Sequence, residues 1–514
     1  MRQFIERHEK KIQGVLNGFD RLLFRGHLTN LCHSDGVKRF LASQKVLLKD
    51  FGAFVEKMTS LVRYAATETA RQFSFPVQYL DSSRTRKEDV AKKILAERGV
   101  ERGPICTLTA LEPCSTWQIF RSKEAQTQEP KRRSGKCLHL YTYFVHPEFG
   151  FMHVRVQTWM PYTVQVYVNG REWLAQQLAS AGITASRADN CFTWLSDPKA
   201  AQKIMDKMLD LPWIRLLDEV TFEANPFLEH LQQASGGSFH WTIHQSEWAT
   251  DIMFKRPTDL AAIYPSFTRH AISEFSSPHV MRFLGKRLVP QFQGEIVSNY
   301  KVRPEGICVK HAAAQNSIKM YDKAGSTLRI ETTIQRPAEF KRKRRAEGKP
   351  DSPVELRPIR KGVADIKARA SVSQEANSRY LDALAVVDED NVVQEILKDV
   401  LVPAEIGDRR VRALRPWSEP DLNLLRAVAR GEFVTAGFRN RDIAALLCPE
   451  HENDASRKCS SARISRLLRL LRAHGIIRKR EGTHRHFVTN KGRVVIAAVI
   501  ATSTAQLSKL KQCA

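Results

Sequence analysis

The chain has 514 residues, which at roughly 100–200 residues per domain corresponds to about three or four domains. Its 42% hydrophobic and 26% charged residues are typical of a soluble globular protein and exclude a disordered or fibrous chain. The formal net charge of +26 and a pI near 9.8 predict a polyanionic partner, with nucleic acid as the first candidate.

Residues 1–130 alternate helix and strand signals and predict an N-terminal α/β region. FPVQYL and ICTLTALEPC have the pattern of strands, and the helix between them ends at Gly99. Neither strand is followed by a glycine-rich phosphate loop, so no nucleotide-binding fingerprint is predicted. In GFDRLLFRG, Arg21 and Arg25 lie close to Asp20, which we interpret as a structural ion pair or a backbone contact rather than a catalytic group.

Two further units are predicted in the middle of the chain. Residues 131–235 read as a β-meander plus helices, with a hairpin at PEFG. Residues 236–340 read as an α+β domain in which the strand HWTIHQSEWATDIMF precedes a helix and an antiparallel meander. The last two strands, NSIKMY and STLRIETTI, are joined by a tight turn at DKAGS. The predicted fold class is therefore α+β multidomain.

A composition shift follows, and residues 341–415 predict a basic linker with a short helix. Proline-marked cationic segments of this kind serve as linkers or as arms that contact phosphates. The candidate nucleic-acid contacts in this arm are Lys341, Arg342, Lys343, Arg344 and Arg345.

Residues 416–514 predict three helices, a β-hairpin and a C-terminal helix. The third helix carries an arginine at every third position beside an apolar stripe, and the hairpin is basic near its tip. The candidate nucleic-acid contacts are Arg463, Arg466, Arg469, Arg472, Lys479, Arg480 and Arg485. The string LLRAHGIIRKREGTHRHFVTNKGR resembles bacterial winged helix-turn-helix domains, which implies that the third helix enters the major groove and the wing touches the backbone. The alternative is a winged helix used for protein contacts.

No membrane association is predicted. The N-terminus, MRQFIERHEKK, lacks the apolar core of a signal peptide, and the longest apolar run, residues 494–501, is too short to span a bilayer. The nine cysteines are scattered and match no zinc pattern, so we expect reduced thiols in a cytoplasmic protein.

Strand parity in the 236–340 unit predicts a polar face, because alternate residues of a strand point to the same side. The side chains that would share this face are Glu247, Asp251, Lys319, Tyr321, Arg329 and Glu331. The three carboxylates are candidate ligands for Mg²⁺ or Mn²⁺, and the metal would polarise a phosphate. Tyr321 is the candidate nucleophile, with Lys319 and Arg329 stabilising developing negative charge. The alternative is a solvated sheet face with ordinary salt bridges.

The segment SIKMYDKAGSTLRIET resembles the YDK and RxE strands of rolling-circle replication initiators of plasmids and filamentous phages, over about residues 236–335. This resemblance implies single-strand nicking by a tyrosine with a divalent metal. The family's usual metal motif has two histidines around one hydrophobic residue, whereas His240 and His244 are separated by three residues. Strand parity places both away from Glu247 unless a bulge intervenes. GFDRLLFRG and CLHLYTYF also resemble a widespread bacterial family, which implies no function.

Three hypotheses follow from these features. The first is a DNA-processing or replication-initiation protein of a mobile element or plasmid, targeted by its C-terminal domain. The second is a non-enzymatic DNA-binding regulator or accessory factor. The third is an RNA-binding component of a ribonucleoprotein, since net charge does not separate RNA from DNA.

Overall fold

A computed structural model describes residues 1–82, 84–122, 127–188, 190–286, 294–303, 306–346, 348–349, 351–385, 387, 396–406, 409–433, 437–448 and 454–503. Within this part of the chain the helices are α1 Arg2–His8, α2 Ser34–Ser43, α3 Phe51–Gln72, α4 Lys87–Arg98, α5 Gly170–Ser180, α6 Pro198–Lys207, α7 Trp213–Ala224, α8 Phe227–Ala234, α9 Pro257–Ser273, α10 Ser277–Phe283, α11 Ile366–Leu384, α12 Glu419–Ala429, α13 Asn440–Leu447, α14 Asp454–Ala473 and α15 Asn490–Ser503.

The strands alternate with these helices along the chain. They are β1 Ile12–Leu28, β2 Val77–Leu80, β3 Gly103–Ser122, β4 Thr127–His146, β5 Gly150–Gln157, β6 Val164–Asn169, β7 Ala185–Ala188, β8 Cys191–Leu195, β9 Phe239–Phe254, β10 Ile296–Arg303, β11 Gly306–Ala313, β12 Asn316–Lys323, β13 Thr327–Ile334, β14 Lys341–Arg344, β15 Glu355–Pro358, β16 Ala404–Ile406, β17 Arg409–Val411, β18 Ile477–Lys479 and β19 His486–Val488. The protein is thus a mixed α/β structure with one large sheet and several small ones.

The large sheet has eleven strands in the order β10-β11-β12-β13-β9-β1-β6-β5-β4-β3-β2. The pairs are antiparallel except for β2 and β3, which run parallel. Strands from all three of the units predicted for residues 1–130, 131–235 and 236–340 belong to this sheet. The boundaries drawn from the sequence therefore fall inside one continuous hydrogen-bonded structure.

β1 is the strand that joins the two halves of the sheet. It pairs with β9 on one side and with β6 on the other. No strand was predicted for GFDRLLFRG, which lies within β1. Its burial pattern explains the omission, because Leu22 and Phe24 are buried on one side while Arg21 and Arg25 are exposed on the other, which also fits a surface segment.

The two sides of the sheet are covered differently. On the side of Phe24, Trp213 of helix α7 packs against the sheet, and the ring centroids of Trp213 and Phe24 are 4.9 Å apart. Helix α11 lies on the same side over β9 and β13, where Trp248 Nε1 donates to Gln374 at 2.7 Å. On the opposite side, α5, α6 and the β7–β8 hairpin cover one end of β1, and α4 covers β2 and β3. Between these two groups of covering elements, the face of the sheet carries polar residues.

The segment predicted as a linker at residues 341–415 is largely structured. β14 and β15 form a hairpin, and α11 covers most of the helical segment that was predicted here. Arg369 of α11 is fully buried and donates to the carbonyl oxygen of Ile243 at 2.9 Å, which fixes the helix on the sheet. The hairpin was not predicted, because its cationic composition concealed the apolar contacts of Phe340 and Ile359 at its base.

The C-terminal residues have a hydrophobic core of their own, which includes Leu424, Ile443, Leu471 and Val499. Helices α12, α13 and α14, the β18–β19 hairpin and α15 follow one another in the order predicted from the sequence. In the described part of the chain, no helix is both long enough and apolar enough to cross a membrane.

Candidate functional site

The polar face predicted from strand parity is present at the centre of the large sheet. Lys319 lies opposite Glu331, and Tyr321 lies opposite Arg329, in the β12–β13 register. Arg329 in turn lies opposite Asp251 of β9. The alternation of side chains along each strand therefore brings the six predicted residues to one side of three neighbouring strands.

Two residues that were not assigned to the site come from β1. Arg21 lies opposite Glu247, and the β1–β9 register shifts between Phe19 and Arg21. Such a bulge leaves Asp20 without a partner residue and turns its side chain toward the same face. Asp20 is 1% exposed and accepts hydrogen bonds from the amide of Asn190 at 2.8 and 3.0 Å.

Asp20, Glu247 and Glu331 form a buried acidic triad, in which one oxygen of each carboxylate lies within 4.8 Å of those of the other two. Burial, reinforced by the neighbouring Glu331 carboxylate, raises the pKa of Glu247. Burial also raises the pKa of Asp20. For Glu331, burial acts upward but is outweighed by Lys319 and Arg329, so its pKa is lowered. Burial and mutual repulsion thus act against ionisation of the three carboxyls, and the neighbouring cations act in its favour.

Lys319 and Arg21 are the cations nearest to the triad on its open side. Lys319 Nζ lies 2.6 Å from Glu331 Oε1 and 3.8 Å from Glu247 Oε1. Arg21 Nε lies 3.7 Å from Asp20 Oδ2 and 3.8 Å from Glu247 Oε2. The side chain of Arg21 is 48% exposed, so this guanidinium is within reach of a ligand.

Arg329 and Asp251 bind each other beside the triad. Arg329 is fully buried, and its guanidinium binds Asp251 at 2.5 and 3.0 Å and contacts Asp20 at 3.3 Å. Asp251 also binds Arg171 of α5 at 2.8 Å. Two arginines therefore neutralise Asp251, and the structure brings Asp20, not Asp251, to Glu247 and Glu331. Arg329 holds the carboxylates in place, and the exposed guanidinium beside them is that of Arg21.

Tyr321, the predicted nucleophile, is half-buried at the edge of the triad. Its ring lies 5.9 Å from Lys319 Nζ and 5.8 Å from Lys323 Nζ. Burial, together with the charge of Glu331, raises the pKa of the Tyr321 hydroxyl. This tyrosine is therefore protonated at neutral pH and needs a base or a bound cation before it can attack an electrophile.

The triad has the chemistry of a site for a hard divalent cation. Mg²⁺ and Mn²⁺ are bound by carboxylate oxygens, and three carboxylates from three strands supply them at close range. Lys319 competes with such an ion, because its ammonium occupies a Glu331 oxygen. An ion bound here would supply Lewis acidity toward a phosphate oxygen.

The predicted nucleic-acid contacts of the C-terminal helix differ in exposure. On α14, Arg463 and Arg466 are exposed, whereas Arg469 and Arg472 are half-buried beside Leu468. In the hairpin, Lys479 and Arg480 are exposed, and half-buried Arg485 donates to the carbonyl oxygen of Gly437 at 3.3 Å. Four of the seven predicted cations thus present their charge directly to solvent.

The five cations of residues 341–345 divide by strand alternation. Lys341, Lys343 and Arg345 are exposed. Arg342 instead binds Glu375 at 2.5 Å, and Arg344 donates to the carbonyl oxygen of Pro358 at 3.0 Å. The odd-numbered residues remain candidates for phosphate contacts, and the even-numbered ones fasten the hairpin to the protein.

Comparisons of the chain with protein-family models, with curated proteins and with solved structures find no match.

Proposed function

We propose that the protein binds DNA through its C-terminal unit, residues 416–503. The observation that carries this proposal is the order of three helices and a two-stranded hairpin, with exposed Arg463 and Arg466 on the third helix and exposed Lys479 and Arg480 in the hairpin. Ile464, Leu468 and Leu471 are buried on the other side of that helix, which fixes its orientation. This is the arrangement by which winged-helix proteins place a helix in the major groove and a wing on the backbone.

Duplex DNA suits this unit better than duplex RNA. The major groove of B-form DNA is wide enough to admit an α-helix, whereas the deep and narrow major groove of A-form RNA is not. The net charge of +26 supports a polyanionic partner for the chain as a whole.

The test is binding of a labelled random-sequence duplex by fluorescence anisotropy over a series of salt concentrations. In the Arg463→Ala/Arg466→Ala variant, we expect the salt dependence of the affinity to decrease by about 1.8, since each lost phosphate contact contributes about 0.9. The matched control is Lys57→Ala/Arg63→Ala, which removes two exposed cations from α3. Equal losses in the two double variants would contradict the proposal.

A second candidate function is metal-dependent cleavage of a DNA strand on the face of the large sheet. The observation that favours it is the convergence of Asp20, Glu247 and Glu331 beside Lys319 and Tyr321. In this reaction the Tyr321 hydroxyl oxygen bonds to phosphorus, the bond from phosphorus to one deoxyribose oxygen breaks, and the tyrosine proton passes to that leaving oxygen. Lys319 and Arg21 would stabilise the charge that develops on the phosphate. Such a protein would process the DNA of a plasmid or mobile element.

Incubation with labelled single-stranded DNA and Mn²⁺, followed by denaturing electrophoresis, tests the second function. We expect a covalent adduct with the wild-type protein and none with Tyr321→Phe. Tyr79→Phe is the matched control, because Tyr79 is a strand tyrosine that is 54% exposed at the far edge of the same sheet. An adduct that persists in Tyr321→Phe would exclude this tyrosine as the nucleophile.

A further inference from the structure

The face of the sheet that bears the acidic triad continues on both sides of it as a cationic strip, formed by Arg21, Arg25, Lys319 and Lys310. Arg25 lies four residues beyond Arg21 on β1, on the same face and about 13 Å away along the strand. Lys310 of β11 lies opposite Lys319, which lies opposite Glu331, so it is two strands or about 10 Å from the triad. The triad therefore has cations on both sides.

The two outer cations of the strip, Arg25 and Lys310, differ from Arg21 and Lys319 in their surroundings. Among the residues that the structure describes, no carboxylate lies within ion-pair distance of Arg25 or Lys310. Partial burial of its guanidinium, reinforced by Arg155 and Arg132, lowers the pKa of Arg25. Burial, reinforced by Lys319, lowers the pKa of Lys310. The like-charge repulsion at both ends would be relieved by a bound polyanion.

The described residues around Arg25 include histidines that can form hydrogen bonds. His27 lies opposite His240 across the β1–β9 pair, with ring centroids 5.3 Å apart. An extra residue on β9, His244, is exposed where the register shifts. Partial burial of the rings, with Arg25 nearby, lowers the pKa of both His27 and His244, so these rings are neutral at pH 7 and can donate an N–H to a phosphate or a base.

We propose that the cationic strip is a track for single-stranded DNA, in which Arg25 and Lys310 hold phosphates on either side of the one that reaches the triad. This inference rests on the proposed function, because it supplies the strand on which the triad would act. The triad side chains are recessed, with Asp20, Glu247 and Glu331 exposing 1%, 8% and 5% of their surface. A stiff duplex keeps its phosphates on the outside of a rod, whereas a flexible single strand can follow a recessed floor.

The experiment measures binding of fluorescein-labelled oligothymidine to the full-length protein by anisotropy, in EDTA and over a series of salt concentrations. The test variant is Arg25→Ala/Lys310→Ala, and the control is Lys57→Ala/Arg63→Ala on α3. Helix α3 lies on the same side of the sheet as α7. The side-chain amide of Asn225, which follows α7, donates to the carbonyl oxygen of Val62 in α3 at 2.8 Å. For the test variant we expect about tenfold weaker binding near physiological salt, because each phosphate contact on a single strand contributes about 0.7 to the salt slope.

The same measurements with a duplex separate this inference from the proposed function. We expect the Arg25→Ala/Lys310→Ala variant to bind duplex as the wild type does. A loss of oligothymidine affinity no greater than that of the control variant overturns the track and leaves duplex binding by the C-terminal unit intact. The opposite result is also informative. If oligothymidine binding depends on Arg25 and Lys310 but duplex binding is unchanged in Arg463→Ala/Arg466→Ala, the track is supported and the C-terminal proposal is overturned.

Discussion

Replacing Lys319 by methionine separates a metal site from a structural ion network. Lys319 Nζ contacts Glu331 at 2.6 Å and Glu247 at 3.8 Å, and its side chain is 15% exposed. Removing one partner of a buried ion pair costs about 3–5 kcal/mol, and the slight exposure of Lys319 favours the lower figure. For a chain of 514 residues, about 3 kcal/mol corresponds to a decrease of about 3 °C in melting temperature.

A divalent cation should reverse this loss if the triad binds one. An ion present at 100 times its dissociation constant stabilises the folded state by about 2.7 kcal/mol, which nearly matches the loss. We therefore expect the melting temperature of Lys319→Met to lie about 3 °C below that of the wild type in EDTA. In excess Mn²⁺ the two melting temperatures should be nearly equal. The wild type should respond less, because its Lys319 competes with the ion for Glu331.

Thermal unfolding of both proteins by scanning calorimetry, in EDTA and in Mn²⁺ at constant ionic strength, is the assay. Arg171→Met is the matched control, because Arg171 is a fully buried cation whose carboxylate partner, Asp251, lies outside the triad. Mn²⁺ should leave the instability of this control unchanged. A loss in Lys319→Met that is the same with and without Mn²⁺, or a recovery of Arg171→Met as large, would refute a metal site at the triad.

Three further results are expected from other parts of the protein. Asp251→Asn leaves fully buried Arg171 without its carboxylate and fully buried Arg329 with only Asp20, and should cost about 3–5 kcal/mol; adding Arg171→Met should recover part of this loss in urea unfolding. Burial, with Arg155 nearby, lowers the pKa of fully buried His139 to about 4, so protonation favours the unfolded chain as pH falls from 6.5 toward 4. The stability lost between pH 7 and pH 5 should therefore be about 2 kcal/mol smaller in His139→Leu, and an identical loss would contradict a neutral buried histidine. Residues 236–340 expressed alone should show no cooperative unfolding by circular dichroism, because β9 then lacks its partner β1.

The polar face was predictable from the sequence because strand alternation is a local property. Glu247, Lys319 and Glu331 each lie on a strand whose apolar residues alternate with polar ones, so counting by two places them on one side. The antiparallel order of β12 and β13 followed from the turn at Gly325, whose φ is +69°.

Asp20 was missed because its position depends on a long-range pairing and on a bulge. Nothing near Asp20 in the sequence indicates that β1 lies beside β9 or that the register shifts after Phe19. Arg171 belongs to a different helix, so its neutralisation of Asp251 was equally inaccessible. The one local indication was the charged pair Asp20–Arg21 inside a largely apolar segment. Such a pair is equally typical of a surface ion pair, so it did not identify Asp20 as part of the site.

The pairing of β1 with β9 also governs when the site can form during synthesis. β1 ends at Leu28, and β9 is complete only at Phe254, more than 200 residues later. At about 5–20 residues per second, the ribosome needs roughly 10 to 45 seconds to make that interval. Throughout this time the edge of β1 that pairs with β9 is unpaired, and the apolar side chains of Leu22 and Phe24 lie on the same strand. An unpaired apolar strand of this kind is prone to aggregation and to chaperone binding. Asp20 is therefore synthesised long before Glu247 and Glu331, and the triad forms late in the folding of the nascent chain.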